Sequence, residues 1–174
     1  MKRCILWTAI VFPCFLFVLS GCINDKSETG ASLVVGDRLP DFEVVMNDGS
    51  VVSSEGLAGH VSCIVFFNTS CPDCRKTLPS VRRVYEEYWQ KGVSFALISR
   101  SESESDILPY WEENGFEMPF SAQETRYVYS LFADKGVPRI YISDRDGTIR
   151  YIFTDSPVPS YHELHAALDA LYVE

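Results

Sequence analysis

Val61 to Phe67 (Val-Ser-Cys-Ile-Val-Phe-Phe) is an unbroken β-branched and aromatic run, and a short loop beyond it carries Cys71-Pro72-Asp73-Cys74. A run of this kind is the pattern of a strand buried on both faces, as in a parallel sheet with helices above and below. After the two cysteines, Leu78, Val81, Val84, Tyr85, Tyr88 and Trp89 recur at helical spacing, and Gly92 stops the helix. Val93 to Ile98 is a second buried strand. Strand, helix and strand in that order form a βαβ unit, whose crossover is almost always right-handed. The chain therefore reads as α/β, with a cysteine pair set between a central strand and the helix that follows it.

The remaining elements extend that sheet. Phe42 to Met46 and Ser50 to Ser53 are expected as strands joined at Asn47-Asp48-Gly49, an N-terminal hairpin. Residues 104–115 read as a helix closed by Gly115, Met118 to Ser121 as a short strand, and Glu124 to Ala133 as another helix. Arg139 to Ser143 and Thr148 to Phe153 form a strand pair around Asp144-Arg145-Asp146-Gly147. Ser160 caps a final helix running through Tyr172, with Leu164, Ala167, Leu168 and Leu171 on one face.

The N-terminus belongs to a different kind of sequence. Lys2 and Arg3 precede an apolar run from Cys4 to Leu19, which ends in Leu19-Ser20-Gly21-Cys22. This resembles a bacterial lipoprotein signal, in which small residues precede a cysteine that is lipidated and becomes the new N-terminus. The resemblance implies a signal peptide over residues 1–21 and a lipid on Cys22; a plain signal peptide or a retained anchor is the alternative. Several acyl chains hold a protein stably on its membrane, where one is marginal. The small and polar residues 22–34 then read as a flexible tether, and residues 35–174 as the domain. The destination expected is the bacterial cell envelope, facing the periplasm or the exterior, where disulfides are chemically permitted. Cys4 and Cys14 leave with the signal, so Cys63, Cys71 and Cys74 remain beside the lipidated Cys22, one pair and one spare. The formal net charge of −9 argues against nucleic acid as a partner, because neutralising phosphates requires a basic face.

Cys-x-x-Cys between a buried strand and a helix is the arrangement that thiol–disulfide exchange needs. A cysteine at a helix start meets free backbone N–H groups and the positive end of the helix dipole, both of which favour a thiolate. The thiolate is the attacking species, which makes Cys71 the nucleophile. Cys74, one turn later, is placed to attack the mixed disulfide and release the product. Pro72 offers no N–H to the sulfur; Asp73 opposes the thiolate, and Arg75 and Lys76 favour it. The pair is its own redox group, so no cofactor and no metal are expected. Half of a zinc site would need two further ligands, and there is no second Cys-x-x-Cys. His162-Glu163-Leu164-His165 lacks the spacing of a zinc-protease motif.

Gly136-Val137-Pro138, just before an expected strand, resembles the cis-proline loop of thioredoxin-like proteins. In that superfamily the proline faces the cysteine pair, and backbone groups beside it hold the substrate chain; Val137 and Pro138 are the matching positions. Gly36-Asp37-Arg38-Leu39-Pro40-Asp41-Phe42 is similar to the start of the branch that contains alkyl hydroperoxide reductases and the extracytoplasmic thioredoxins of cytochrome c maturation. Residues 99–135 resemble the helix-containing segment that the latter group inserts before its cis-proline loop. The resemblance covers residues 35–174. It implies a thioredoxin-like fold with a central mixed β-sheet flanked by helices, an N-terminal β-hairpin and that insertion. Two positions depart from it. Val65 stands where thioredoxin has a buried acid, and Thr77 where some cytochrome-maturation reductases have a glutamate. Asp73 or a water is left as the candidate for proton transfer.

The function expected is a membrane-tethered thiol–disulfide oxidoreductase. It would reduce protein disulfides through a Cys71/Cys74 cycle, as a monomer re-reduced by a membrane electron donor. An oxidase or isomerase would use the same centre, since direction depends on reduction potential. A peroxiredoxin-like peroxidase would need a threonine three residues and a proline seven residues before its cysteine. Counting back gives Asn68 and Ile64 from Cys71, and Cys71 and Phe67 from Cys74. A non-catalytic binding module is the remaining class. Cys63 reads as a small core residue, Asp144 and Asp146 as turn residues, Tyr110, Trp111 and Phe116 as core, and Glu102, Glu104 and Asp106 as a solvated helix start.

Overall fold

The structure is a computed structural model that describes residues 32–173. The proposed signal peptide, Cys22 and most of the tether lie outside the described residues. Two antiparallel strands, β1 (Glu43–Val45) and β2 (Val51–Ser53), form the N-terminal hairpin. Five more strands build the main sheet: β3 (Ser62–Phe67), β4 (Ser94–Ser99), β5 (Phe120–Ser121), β6 (Arg139–Ser143) and β7 (Ile149–Phe153), in the order β5-β4-β3-β6-β7. β3 lies parallel to β4 and antiparallel to β6, with Val65 opposite Leu97 on one side and Ile140 on the other. The sheet is thus mixed, and the parallel pair places the C-terminal ends of β3 and β4 at the same edge.

Four helices flank it: α1 (Pro72–Tyr88), α2 (Glu104–Asn114), the single turn α3 (Tyr127–Ser130) and α4 (Tyr161–Tyr172). Every residue of β3 is buried, as its uninterrupted apolar run requires. Its alternation sends successive side chains to opposite layers. Phe66 meets Tyr129, Phe132 and Tyr141, with ring centroids 5.5, 4.9 and 6.2 Å away, whereas Phe67 meets Trp111 of α2 at 4.9 Å. α1 and α4 pack together through Tyr88, Glu87 and Tyr161, whose hydroxyl donates to Glu87 at 2.9 Å. Ser160 accepts from the Glu163 amide while the Glu163 carboxylate accepts from the Ser160 amide, closing a capping box on α4. Gly115 ends α2 in the left-handed region, at φ 59°, and Gly92, at φ 92°, closes the short 3-10 turn Trp89–Lys91 that follows α1.

Three expectations shift. Residues 32–34 are part of the domain rather than of a free tether: the Leu33 amide donates to Phe132 at 2.9 Å and the Ser32 hydroxyl to Asp134 at 2.8 Å. The helix expected over Glu124 to Ala133 contracts to Tyr127–Ser130. Residues 124–126 bend instead, directly after the bridge in which the Gln123 amide donates to the Glu102 carbonyl. The third concerns Glu102, which is not a solvated residue of the α2 start. No helix among the described residues is long and apolar enough to cross a membrane.

Candidate active site

The chain leaves β3 at Phe67 and turns sharply before entering α1. The Cys71 amide donates to the Asn68 carbonyl at 3.1 Å and the Asn68 side chain accepts from the Ser70 amide at 3.0 Å, which tightens the turn. Cys71 is the N-cap of α1 and Pro72 its first residue, where a missing N–H costs nothing. Cys71 is therefore held by the turn at a helix start, half-exposed. Cys74 lies one turn into α1 and is 0% exposed.

The two sulfurs have different surroundings. Burial pushes the Cys74 thiol well above its ordinary range; the Asn68 backbone N–H opposes that, and Cys71 and Glu102 add to it. Cys71 instead opens onto the loop before β6, where its thiol donates to the Val137 carbonyl at 3.4 Å. Val137–Pro138 is a cis peptide, and both residues are buried beneath the sulfur. Tyr129 donates to the preceding carbonyl, Gly136, at 2.7 Å. The structure thus brings Cys71, Cys74, Val137 and Pro138 together, although Val137 is 66 residues from Cys71 in the chain. Cys63, Cys71 and Cys74 are free thiols.

Asp73 faces outward and pairs with Lys76 at 2.9 Å. Lys76 answers its charge at the surface, so the side chain proposed for proton transfer is engaged away from Cys74. Arg75 donates from Nε to the Thr69 carbonyl, and its guanidinium lies 5.1 Å from the Tyr110 ring centre. Thr77, buried, spends its hydroxyl on the Asp73 carbonyl at 2.8 Å.

Sequence reasoning missed the acid that does reach this site. Glu102, 9% exposed, extends from the β4–α2 loop to the β3–α1 loop. Its carboxylate accepts from the Thr69 amide at 2.8 and 3.0 Å and from the Thr69 hydroxyl at 2.7 Å. Its own backbone is fastened as well, the amide to the Ser99 hydroxyl at 3.0 Å and the carbonyl to the Gln123 amide at 3.1 Å. Hydrogen bonds to a charged acceptor are the strong ones, so this clamp fixes the turn that presents Cys71. A sequence signal existed. Ser103 caps α2 and Asp106 completes its capping box, which leaves Glu102 ahead of the cap and outside the helix. Glu104 and Asp106 are the exposed first-turn acids expected.

Among the described residues, no group of three or more His, Cys, Asp or Glu could hold a metal ion. Cys63 sits mid-strand between Phe95 and Ile142, and burial pushes its thiol up to about 12. Trp111 and Phe116 are buried, whereas Tyr110 remains half-exposed under Arg75.

Similarity to known proteins agrees with this geometry. The thiol–disulfide oxidoreductase ResA of Oceanobacillus iheyensis is 24% identical over 155 residues, 87% of this chain and 81% of that protein. ResA of Bacillus anthracis is 22% identical over 139 residues, covering 77% and 80% of the two chains. In fold, the chain is similar to a putative protein disulfide isomerase from Bacteroides thetaiotaomicron (TM-score 0.76, 22% identity, 82% and 92% covered). It is similar also to a thio-disulfide isomerase from Thermus thermophilus (TM-score 0.65, 25% identity, 80% and 97% covered). The family model for Redoxin matches residues 34–171, and with this thioredoxin-like architecture the chain belongs to the Redoxin family.

Proposed function

We propose that this protein is a thiol–disulfide oxidoreductase that reduces protein disulfides with the Cys71/Cys74 pair as its redox group. The observation that carries the reading is the contrast at the site: Cys71 is half-exposed against the Val137 carbonyl, and Cys74 is sealed one helical turn behind it. A substrate disulfide reaches the first sulfur and not the second. The Cys71 thiolate attacks one substrate sulfur, forming a mixed disulfide and releasing the other as a thiolate that takes up a proton. Cys74 then loses its proton and attacks the Cys71 sulfur. The second substrate sulfur leaves as a thiolate and takes up a proton in place of the one Cys74 gave up, and Cys71–Cys74 becomes a disulfide after transferring two electrons.

Burial keeps Cys74 protonated and the neighbouring Cys71 adds to that; once Cys71 is bonded to substrate its charge is gone, and the Asn68 N–H supports the Cys74 thiolate when it forms. The Val137 carbonyl, with its neighbours in the cis-proline loop, is suited to align an extended substrate chain beside Cys71. The lipobox-like Leu19-Ser20-Gly21-Cys22 supports anchoring of a monomeric enzyme in the bacterial envelope through lipid on Cys22. There it would meet a membrane electron donor that restores the dithiol. The relatives named ResA support the same assignment.

The test is turnover of a disulfide-bonded test protein by the reduced enzyme, together with the reduction potential of the pair. A reductase gives stoichiometric substrate thiols and a low potential. A potential near −120 mV, on the order of that of strong oxidants, would reverse the direction and make the same centre an oxidase.

A further inference from the structure

The edge of the sheet that presents Cys71 also gathers positive charge, on a chain whose net charge is −9. Arg100 follows the end of β4, and its amide donates to the Phe67 carbonyl at 2.8 Å. Arg139 opens β6 directly after Pro138, lies opposite Phe66 across the ladder, and donates from Nε to the Lys135 carbonyl at 3.0 Å. Strand alternation places Ile98, Phe66 and Arg139 on one layer, and Arg100, two residues beyond Ile98, on the same side. Arg126 heads the turn of α3 that supplies Tyr129. All three guanidiniums act on the Tyr129 hydroxyl: burial raises that phenol, and Arg139, Arg100 and Arg126 oppose the shift. Tyr129 in turn bonds to Gly136, next to the carbonyl that Cys71 touches.

None of the three arginines forms an ion pair among the described residues. Arg100 Nε is buried with no hydrogen-bond partner. Of the acids nearby, two are engaged elsewhere and two stand beside the cluster without an ion pair to it among the described residues. Glu102 is held by Thr69, and Asp134 accepts from Ser32. Asp155 lies against Gly136, and Glu124 is an exposed neighbour of Arg126. An unpaired arginine group beside a reactive thiol costs self-repulsion that a protein of opposite net charge has no need to carry. It is repaid when an anionic partner supplies the missing carboxylates, which arginine accepts in a forked geometry.

We infer that Arg100, Arg126 and Arg139 form a docking surface for an acidic polypeptide segment flanking the disulfide that Cys71 attacks. The inference rests on the oxidoreductase reading and adds to it the class of substrate: proteins whose disulfide is bordered by Asp or Glu. Opposite charge steers such a partner onto the site and raises the encounter rate, and salt screens the effect.

The experiment uses two peptide disulfides that differ only in their flanks, Asp/Glu in one and Ser/Gly in the other. The reduced enzyme is mixed with each, and the second-order rate of thiol release is read at low and at high salt. The acidic peptide is expected to react about tenfold faster at low ionic strength, with the ratio falling toward one at about 0.5 M salt. Arg126→Gln, at an exposed position, lowers that ratio and Arg126→Glu lowers it further. Lys91→Gln, in the turn beyond the far end of α1, leaves it unchanged. Equal rates for the two peptides, or an unchanged ratio in both Arg126 variants, overturn the docking surface and leave the oxidoreductase intact. Failure to react with either peptide overturns both.

Discussion

Inside β3, Cys63 and Phe66 are sealed from solvent among apolar neighbours, and the strand's amides are consumed by ladders to β4 and β6. Just past the C-terminal end of the same strand, Thr69 and Cys71 are surrounded by a carboxylate, a guanidinium and a backbone carbonyl. The chain carries thiols in both regions, and their surroundings decide what each can do. Mid-strand, no N–H is left to stabilise a thiolate, and burial holds Cys63 protonated up to about 12. Beyond the last ladder rung, freed amides have other uses: Thr69 binds Glu102, and Asn68 faces Cys74. Reactivity here comes from where the sheet stops.

The comparison can be broken in four places. Replacing Cys71 by Ser is expected to abolish turnover of a disulfide substrate while leaving the unfolding midpoint close to that of the parent; retained turnover would move the nucleophile elsewhere. In the sealed region Phe66→Ala removes a ring packed on Tyr129, Phe132 and Tyr141. It should cost about 3–5 kcal/mol in denaturant unfolding, and a loss below 1 kcal/mol would mean that the strand interior is not the stability centre.

At the open end, Glu102→Gln exchanges one acceptor oxygen for an amide against the donors of Thr69. The loss is on the order of 2 kcal/mol, with slower exchange and a shifted pH profile for the second, Cys74-dependent step. Unchanged stability and pH profile would show that the clamp does not hold the turn. At neutral pH the smallest effect is that of Cys63, which emerges only in alkali: its thiol ordinarily ionises near 9.0 and in the folded chain is held up to about 12. Its folded value is the higher one, so the unfolded chain loses its proton first. The stabilisation is whole below the unfolded value and is lost as pH climbs toward the folded one. Between those limits the parent should lose about 1.4 kcal/mol per pH unit from this group, and Cys63→Ala should fall that much less steeply in alkaline unfolding curves.

Much of this was readable before any coordinates. The continuous apolar run of β3, the spacing of α1 and the Asp-Gly turns carry local information, because periodicity and turn chemistry act over a few residues. The pairing of Cys71 with Val137 was legible only through resemblance, since nothing local connects positions 66 residues apart. Two features escaped. α3 starts at Tyr127, after bends at residues 124–126 that follow the Gln123–Glu102 bridge and that no local pattern announces. Glu102 looked like one acid among several at a helix start. Its burial depends on β3 and β4 ending side by side, which is a property of the sheet and not of the segment. The gaps noted at Val65 and Thr77 led the sequence reading toward Asp73, which the structure pairs with Lys76 at the surface.

The central claim is that Cys71 attacks and Cys74 resolves, and replacing Cys74 by Ser tests it most directly. The reduced variant is incubated with a disulfide-bonded protein, quenched in acid and digested without reductant, and the cross-linked peptides are identified by mass spectrometry. The account predicts a stable mixed disulfide that joins substrate to Cys71 and accumulates toward one per chain. A substrate bonded to Cys63, or a Cys71→Ser variant that traps as much substrate through Cys74, would contradict it.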